Sequence, residues 1–240
     1  MERLLEGFAF LAARVQYKIE AEFPRFTQSL LETIYPHFLC PMPSMGIVQI
    51  LPQMNDPGLA QGFPVPRGSY LLSKLGKSEQ TRCKYRTSQD VTLLPISLTQ
   101  ANYCVQDIST LQLPSSQTHV KAALRLRLQS FMVNAFREMN LDRLNFYLMG
   151  TDEISMSLYE QFGADLSGIY IQSVKRPNKW QKSMATSSLE FSGFQEKQGL
   201  LPYGAQSFQG YRLLQEYFAF PERFMFLDLN HLKPVLGTCD

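Results

Sequence analysis

Apolar side chains recur at Leu4, Phe8, Leu11, Val15 and Ile19, in steps of 4, 3, 4 and 4. That spacing places all five on one side of an α-helix and predicts a helix over residues 1–23. Glu2, Glu6, Arg14, Lys18 and Glu20 fall mostly elsewhere on the wheel. Pro24 suits the first turn of a second helix, with Phe26, Leu30 and Ile34 along its face and Pro36 at its end. The stripe either faces the protein's own core or forms a seam with another chain. Its five turns are long enough for a bundle seam, and a helix at the start of a sequence frays unless it is covered. The expectation is therefore a partner-binding element made of Leu4, Phe8, Leu11, Val15 and Ile19.

Beyond the turn-rich stretch Cys40–Gly46 the period changes from helical to alternating. Ile47–Leu51, Ser69–Leu75, Arg82–Thr87 and Val91–Leu98 read as short strands, and the proline-rich segment 52–69 reads as an exposed loop. His119–Gln129 carries the cleanest alternation. Val120, Ala122, Leu124, Leu126 and Leu128 interleave with Lys121, Ala123, Arg125, Arg127 and Gln129. This predicts a half-exposed strand with Leu124 and Leu126 in the core and a solvated basic face. Leu144–Met149 is a further strand. A helix follows, capped by Thr151 or Asp152, with Ile154, Leu158 and Phe162 as its buried stripe and Gly163 at its end. Ser167–Val174 returns to strand. The fold class is α+β: an N-terminal helical pair, then a mainly antiparallel or mixed β-rich body with short inserted helices. The expected division is a helical segment over 1–40, a β-rich domain over 41–118 and an α/β domain over 119–240.

The segment "GYRLLQEYFAFPERFMFLDL", Gly210–Leu229, holds six aromatic residues in twenty, against 12% for the whole chain. Tyr211, Leu214 and Phe218 share a helical face, and Leu213, Tyr217 and Phe220 lie beside it. Pro221 stops the helix, and Phe224 and Phe226 then alternate with Met225 and Leu227 in a strand. Arg212 and Glu216, four apart, can pair across a turn. Rings facing inward are the default for such an arc, yet this is more aromatic surface than a short helix needs, and aromatics also anchor interfaces.

Composition narrows the function. With 23 basic and 21 acidic residues the net charge is +2, so no global field draws the chain to nucleic acid or an anionic membrane. The four cysteines, Cys40, Cys83, Cys104 and Cys239, are widely spaced, and no early stretch has the length of a membrane span. A cytoplasmic protein without membrane insertion is expected. No phosphate loop, dinucleotide fingerprint, nucleophile elbow or H-E-x-x-H motif occurs. His37, His119 and His231 are scattered; His37 and Cys40 give two possible ligands where a structural zinc takes four. Trp180 among Lys175, Arg176, Lys179 and Lys182 is a weak single-strand signature and reads as a solvated loop. No catalytic residue, metal or cofactor is expected.

The aromatic segment closely resembles the most characteristic segment of the TssF (VasA or ImpG) family of the type VI secretion system. Further matches follow in order: "ERLLEGFAFLAARVQYKIEAEFPRFTQSLLETIYPHFLCPMPSM", "ALRLRLQ", "LDRLNFYLMG" and "LLPYGAQSFQGYRLLQEYF". Family members are longer, with a helical segment upstream of the region matching Glu2 and a large part after Leu229, so this chain resembles a fragment of one, or a truncated member. The resemblance implies a structural subunit of a baseplate wedge. Two such copies embrace one TssG-like subunit, with TssE- and TssK-like subunits completing the wedge. Six wedges around the spike template sheath growth at the cytoplasmic face of the bacterial inner membrane. It singles out Tyr211, Arg212, Glu216, Tyr217, Phe218, Phe220 and Phe224 as the family-motif segment. The alternatives are a baseplate wedge protein of a phage or phage-like contractile particle, and a soluble α+β hydrolase using His37 or His119.

Overall fold

The computed structural model describes residues 2–53, 56–76, 80–106, 108–111, 113–114, 119–131, 136, 139–174, 180–205 and 207–237. The chain forms two compact units. One comprises Met1–Gly46 and Gly199–Arg223; the other comprises Ile47–Gln198 and Phe224–Asp240. The α+β class is as the sequence pattern implies, with helices and antiparallel strands in separate elements.

The first unit opens with helix α1, Glu2–Ile34. The expected pair of helices is one continuous helix, with Pro24 in its interior. Proline has no N–H to donate and its ring crowds the preceding turn. Ala21, Glu22, Arg25, Gln28 and Leu30 around it are good helix formers, and the Thr27 hydroxyl donates to the Pro24 carbonyl at 2.9 Å. Those local preferences carry the helix through the proline. A 3-10 turn, Pro36–Leu39, follows the helix end, as Pro36 requires. The segment 199–223 completes this unit. It contains helix α3, Gln209–Ala219, and the start of a 3-10 turn at Pro221.

The second unit is built from short antiparallel ladders. Strands β1 (Phe63–Val65) and β4 (Val91–Leu93) pair, as do β2 (Tyr70–Leu72) with β3 (Lys84–Arg86) and β8 (Ile169–Gln172) with β9 (Gln181–Met184). The longest ladder joins β5, Ile96–Cys104, to β6, Ala123–Ser130. A three-stranded sheet places β11 (Phe226–Leu229) between β10 (Leu189–Phe191) and β7 (Leu144–Tyr147). Its middle strand carries buried Asp228. There Asp228 accepts from Asn145 Nδ2 and Arg143 Nη2, both at 2.7 Å, and from the Ser192 hydroxyl. Met139, Leu141, Leu232 and Leu236 form the core, with Leu94, Ile96, Trp180 and Leu229 against it. Helix α2, Asp152–Ala164, also belongs here; a four-residue helix α4, Lys233–Leu236, closes the unit.

Several local expectations change. Ile47–Leu51 is not a strand, because no other segment pairs with it among the described residues. Residues 52–69 hold a 3-10 turn, Pro57–Gln61, and β1 rather than loop alone. Val91–Leu98 divides into β4 and β5 around buried Pro95, which has no N–H for a ladder. The alternating strand begins at Ala123; Leu124 is only half-buried and Leu126 remains 37% exposed, while Arg125 on the basic face is half-buried and only Arg127 is solvated, because this ribbon has two strands and one partner cannot cover a face. In α2, Ile154 is exposed while Leu158 and Phe162 are half-buried. Thr151 holds the N-cap position without a side-chain bond; the Ser155 hydroxyl donates to its carbonyl at 3.1 Å. Gly163 lies in the last turn, and the helix closes where Asp165 N–H donates to the Gln161 carbonyl. Phe224 belongs to a 3-10 turn, and the strand starts at Phe226. In the basic loop, residues 175–179 lie outside the described residues, as does Cys239. Trp180 is half-buried beside the core and Lys182 is half-buried in β9.

Candidate interaction surface

Two apolar surfaces of the first unit stand out. The first is α1. None of its described residues is buried, and Phe8, at 73% exposed, is typical of the stripe. Leu4, Leu11, Val15 and Ile19 are exposed with it, and Phe8, Leu11, Val15 and Ile19 line a shallow open groove with Ala12, Gln16 and Glu20. Phe26, Leu30 and Ile34 continue the row. The helix covers none of this surface by itself, and a contiguous exposed apolar stripe of this length is a candidate interaction surface.

The second is α3, where the structure reverses the expected orientation. The sequence pattern points the aromatic arc inward. Instead Tyr211, Leu214, Tyr217 and Phe218 are exposed, Phe218 at 82%, while Arg212 and Glu216 are 0% exposed. The helix buries its charged face. Arg223, four residues beyond the helix end, is buried with them.

The ionic cluster is specific in its bonding. One oxygen of Glu216 accepts from Arg212 Nη1 at 2.9 Å and from the backbone N–H groups of Leu200 and Leu201 at 2.8 and 2.9 Å. The other oxygen accepts from Arg223 Nε at 2.5 Å. A carboxylate taken out of water needs this saturation, since the desolvation of two or three ions outweighs their attraction unless the remaining lone pairs are bonded. The bonds also fix the path of residues 200–201 against the helix. Among the described residues, Arg212 Nε and Nη2 have no acceptor; its guanidinium carbon lies 5.6 Å from the centre of the Tyr203 ring, in cation–π range.

Tyr35, directly after α1, joins this cluster. It is 4% exposed, its hydroxyl donates to Gln215 Oε1, and its ring lies 5.8 Å from that of Tyr211. Burial raises the Tyr35 phenol above its ordinary range; the Glu216 charge adds to that and Arg212 opposes it. The Ser207 hydroxyl donates to the Ile34 carbonyl at 3.0 Å. Phe208 meets Tyr211 edge-on at 5.6 Å, and Tyr217 meets Phe218 at 5.4 Å. The exposed rings therefore form a set of mutually oriented aromatics above a buried ionic base.

Of the motif residues, Tyr211, Arg212, Glu216, Tyr217, Phe218 and half-buried Phe220 share the first unit. Phe224 lies in the second, buried with its ring 5.2 Å from that of Phe194. Tyr35, Gln215 and Arg223 were missed in the sequence. Arg223 could have been found, since it follows Glu216 by seven residues and a proline turn brings it back. Tyr35 could not, being 180 residues from its partner. Among the described residues no cluster of metal-ligating side chains gathers elsewhere. Cys40 Sγ bonds to the Pro36 carbonyl, His37 Nδ1 has no partner among the described residues, and among those residues no three His, Cys, Asp or Glu side chains converge. No described helix is long and apolar enough to cross a membrane.

Comparisons with known proteins of three kinds agree. The family model described as "Type VI secretion system, TssF" matches residues 1–240. The type VI secretion system component TssF1 of Pseudomonas aeruginosa is 45% identical over all 240 residues, which make up 38% of its own length. A chain of the type VI secretion system TssK-TssF-TssG baseplate subcomplex, solved by cryo-electron microscopy, superposes with a TM-score of 0.72 at 28% identity. That likeness covers 97% of this chain and 41% of the solved one. The chain thus spans about two fifths of the length of the relatives it matches.

Proposed function

The chain belongs to the TssF family of the type VI secretion system, and on that premise we propose that it is a structural piece of a baseplate wedge rather than an enzyme. The observation that carries this reading is the family match over residues 1–240, the whole chain. The surface chemistry supports it. An assembly subunit needs large apolar faces held ready for partners, and the α1 stripe and the outward rings of α3 are of that kind. The partners are a TssG-like subunit, a second TssF copy, and TssE- and TssK-like subunits. The site of action is the cytoplasmic face of the bacterial inner membrane, reached through the assembly rather than by insertion. The stripe Leu4, Phe8, Leu11, Val15 and Ile19 takes the TssG-like partner as a helical seam.

Co-expression of this chain with TssG-, TssE- and TssK-like subunits from the same genome, followed by native mass measurement, tests the reading. Stable complexes with two copies of the chain per TssG-like subunit are expected. Phe8→Glu with Val15→Glu abolishes that co-purification and leaves the melting of the β-rich unit nearly unchanged. Absence of any complex overturns the assembly role of this part of the family. If the double variant unfolds the whole chain instead, the stripe is intramolecular core and the seam is elsewhere.

A further inference from the structure

The β5–β6 ribbon carries a pattern that the wedge reading does not use. In its register Leu98 faces Leu128, Ala101 faces Leu126 and Tyr103 faces Leu124 on one side. On the other side Gln100 faces Arg127 and Asn102 faces Arg125. The apolar side is open to solvent at Leu98, Tyr103 and Leu126. Among the described residues no third strand joins either edge. A two-stranded ribbon is marginal in water by itself, and a third strand is what ordinarily completes it.

The two edges are not equivalent. The register slips between Leu98 and Gln100, so β5 carries a bulge at Thr99 that interrupts its outer row of donors and acceptors. β6 has no such break along Ala123–Ser130. It also bears the charge. Arg125 and Arg127 lie two residues apart on one side, face neutral amides across the ladder, and form no ion pair among the described residues. Two β6 edges paired with each other set arginine beside arginine, which like charges on neighbouring strands disfavour. A strand of opposite charge has no such conflict.

We propose that the outer edge of β6 is a docking site for an extended strand of a partner protein in which carboxylate and apolar side chains alternate. Backbone hydrogen bonds to this edge, which no described strand occupies, supply affinity. The period of two supplies specificity: carboxylates two apart fall beside Arg125 and Arg127, and the intervening apolar groups fall beside Leu124, Leu126 and Leu128. A slip of one residue sets carboxylates against the leucine side, so register and partner choice are fixed together.

The probe is a capped, fluorescein-labelled ten-residue peptide alternating Glu with Val and Ile, titrated into the 240-residue chain and followed by anisotropy. One control peptide has the same composition with its charges clustered; another has Lys in place of Glu. The alternating acidic peptide should bind at least about ten-fold more tightly than either control, from two favourable against two unfavourable cross-strand charge pairs. It should slow amide exchange in residues 123–130. Arg125→Glu with Arg127→Glu should reverse the preference toward the Lys peptide. The milder Arg125→Gln with Arg127→Gln should weaken acidic binding without that gain, which keeps the test available if the reversed variant fails to fold. Equal affinity for the three peptides, no binding of the acidic one, or protection elsewhere overturns the proposal. So does protection of 123–130 that rises with chain concentration in the absence of peptide, which would make the occupant a second copy.

Discussion

Replacing Glu216 by glutamine is the most searching perturbation of the first unit. The change keeps the size and shape of the side chain, so no cavity term enters. One amide oxygen can still accept from Leu200, Leu201 and Arg212, but the amide nitrogen takes the place of the oxygen that accepts from Arg223 Nε at 2.5 Å. A donor then faces a donor, and the guanidinium groups of Arg212 and Arg223, 0% and 7% exposed, lose the carboxylate they share. Removing one member of a buried ion pair costs about 3–5 kcal/mol. That is a large share of the roughly 5–15 kcal/mol by which a domain is stable. At a urea slope of about 2 kcal/mol per molar, the unfolding midpoint should fall by roughly 2 M. The Leu200 and Leu201 amides should exchange on the order of a hundred to a few thousand times faster, as local opening becomes easier by that amount. Adding Arg223→Met should recover part of the loss, since one stranded cation is removed; the two changes are coupled rather than additive. A midpoint within about 0.3 M of the parent, with unchanged exchange, would falsify the description of Glu216 as a buried, saturated anion.

Four smaller tests follow. Pro24→Ala should raise the helical ellipticity of the chain, because an interior proline disfavours helix by about 3 kcal/mol relative to alanine; no rise would mean that residues 2–34 are two helices in solution. Leu126→Asp should change stability by less than about 1 kcal/mol because that side chain is already partly in water, whereas Leu227→Ala, at a position 3% exposed, should cost about 2–4 kcal/mol in the same urea melts. Asp228→Ala should cost about 1–3 kcal/mol, from stranding the buried Ser192 hydroxyl in the sheet rather than from Asn145 and Arg143, which are exposed and regain water; a neutral result would show that water replaces the carboxylate. Tyr35 is held neutral in the folded chain, so the unfolded chain loses its phenolic proton first, near pH 10. The stability it contributes is whole below that pH and is lost as the pH rises through the folded value. Tyr35→Phe should flatten that decline, and an equal decline in both chains would remove Tyr35 as its source.

The legible parts of the fold were those set by period and punctuation. The helical stripe from Leu4 to Ile19, the stop at Pro36, the alternation through Leu124–Leu128 and the break at Pro221 all correspond to elements in the structure. Boundaries shifted where pairing decides them. Ile47–Leu51 has strand composition but no partner strand among the described residues, and Val91–Leu98 has strand composition around a proline that a ladder cannot use. Pro24 misled in the opposite direction. It satisfies the rule for opening a helix, and the structure instead carries the helix through it, since helix-forming residues on both sides outweigh one missing donor.

The orientation of α3 was beyond the sequence for a more basic reason. A two-faced pattern says that the helix has two environments, and the usual inference assigns water to the charged one. That inference holds only if the chain supplies its own cover for the apolar face. Here Glu216 finds four donors, two of them backbone N–H groups of Leu200 and Leu201, so the charged face can be buried without stranding its carboxylate. A network of this kind adds little net stability compared with apolar packing, but it fixes position sharply, because each ion is tolerated only in the geometry that satisfies it. Tyr35 and Ser207 tie the end of α1 into the same geometry through Gln215 and the Ile34 carbonyl. The rings of Tyr211, Tyr217 and Phe218 are thereby held exposed on a base that cannot rotate to hide them without breaking ion pairs. On the proposed assembly role, that arrangement gives what a core-facing arc could not: aromatic anchors already ordered before a partner arrives, so that less side-chain entropy is lost when they are covered.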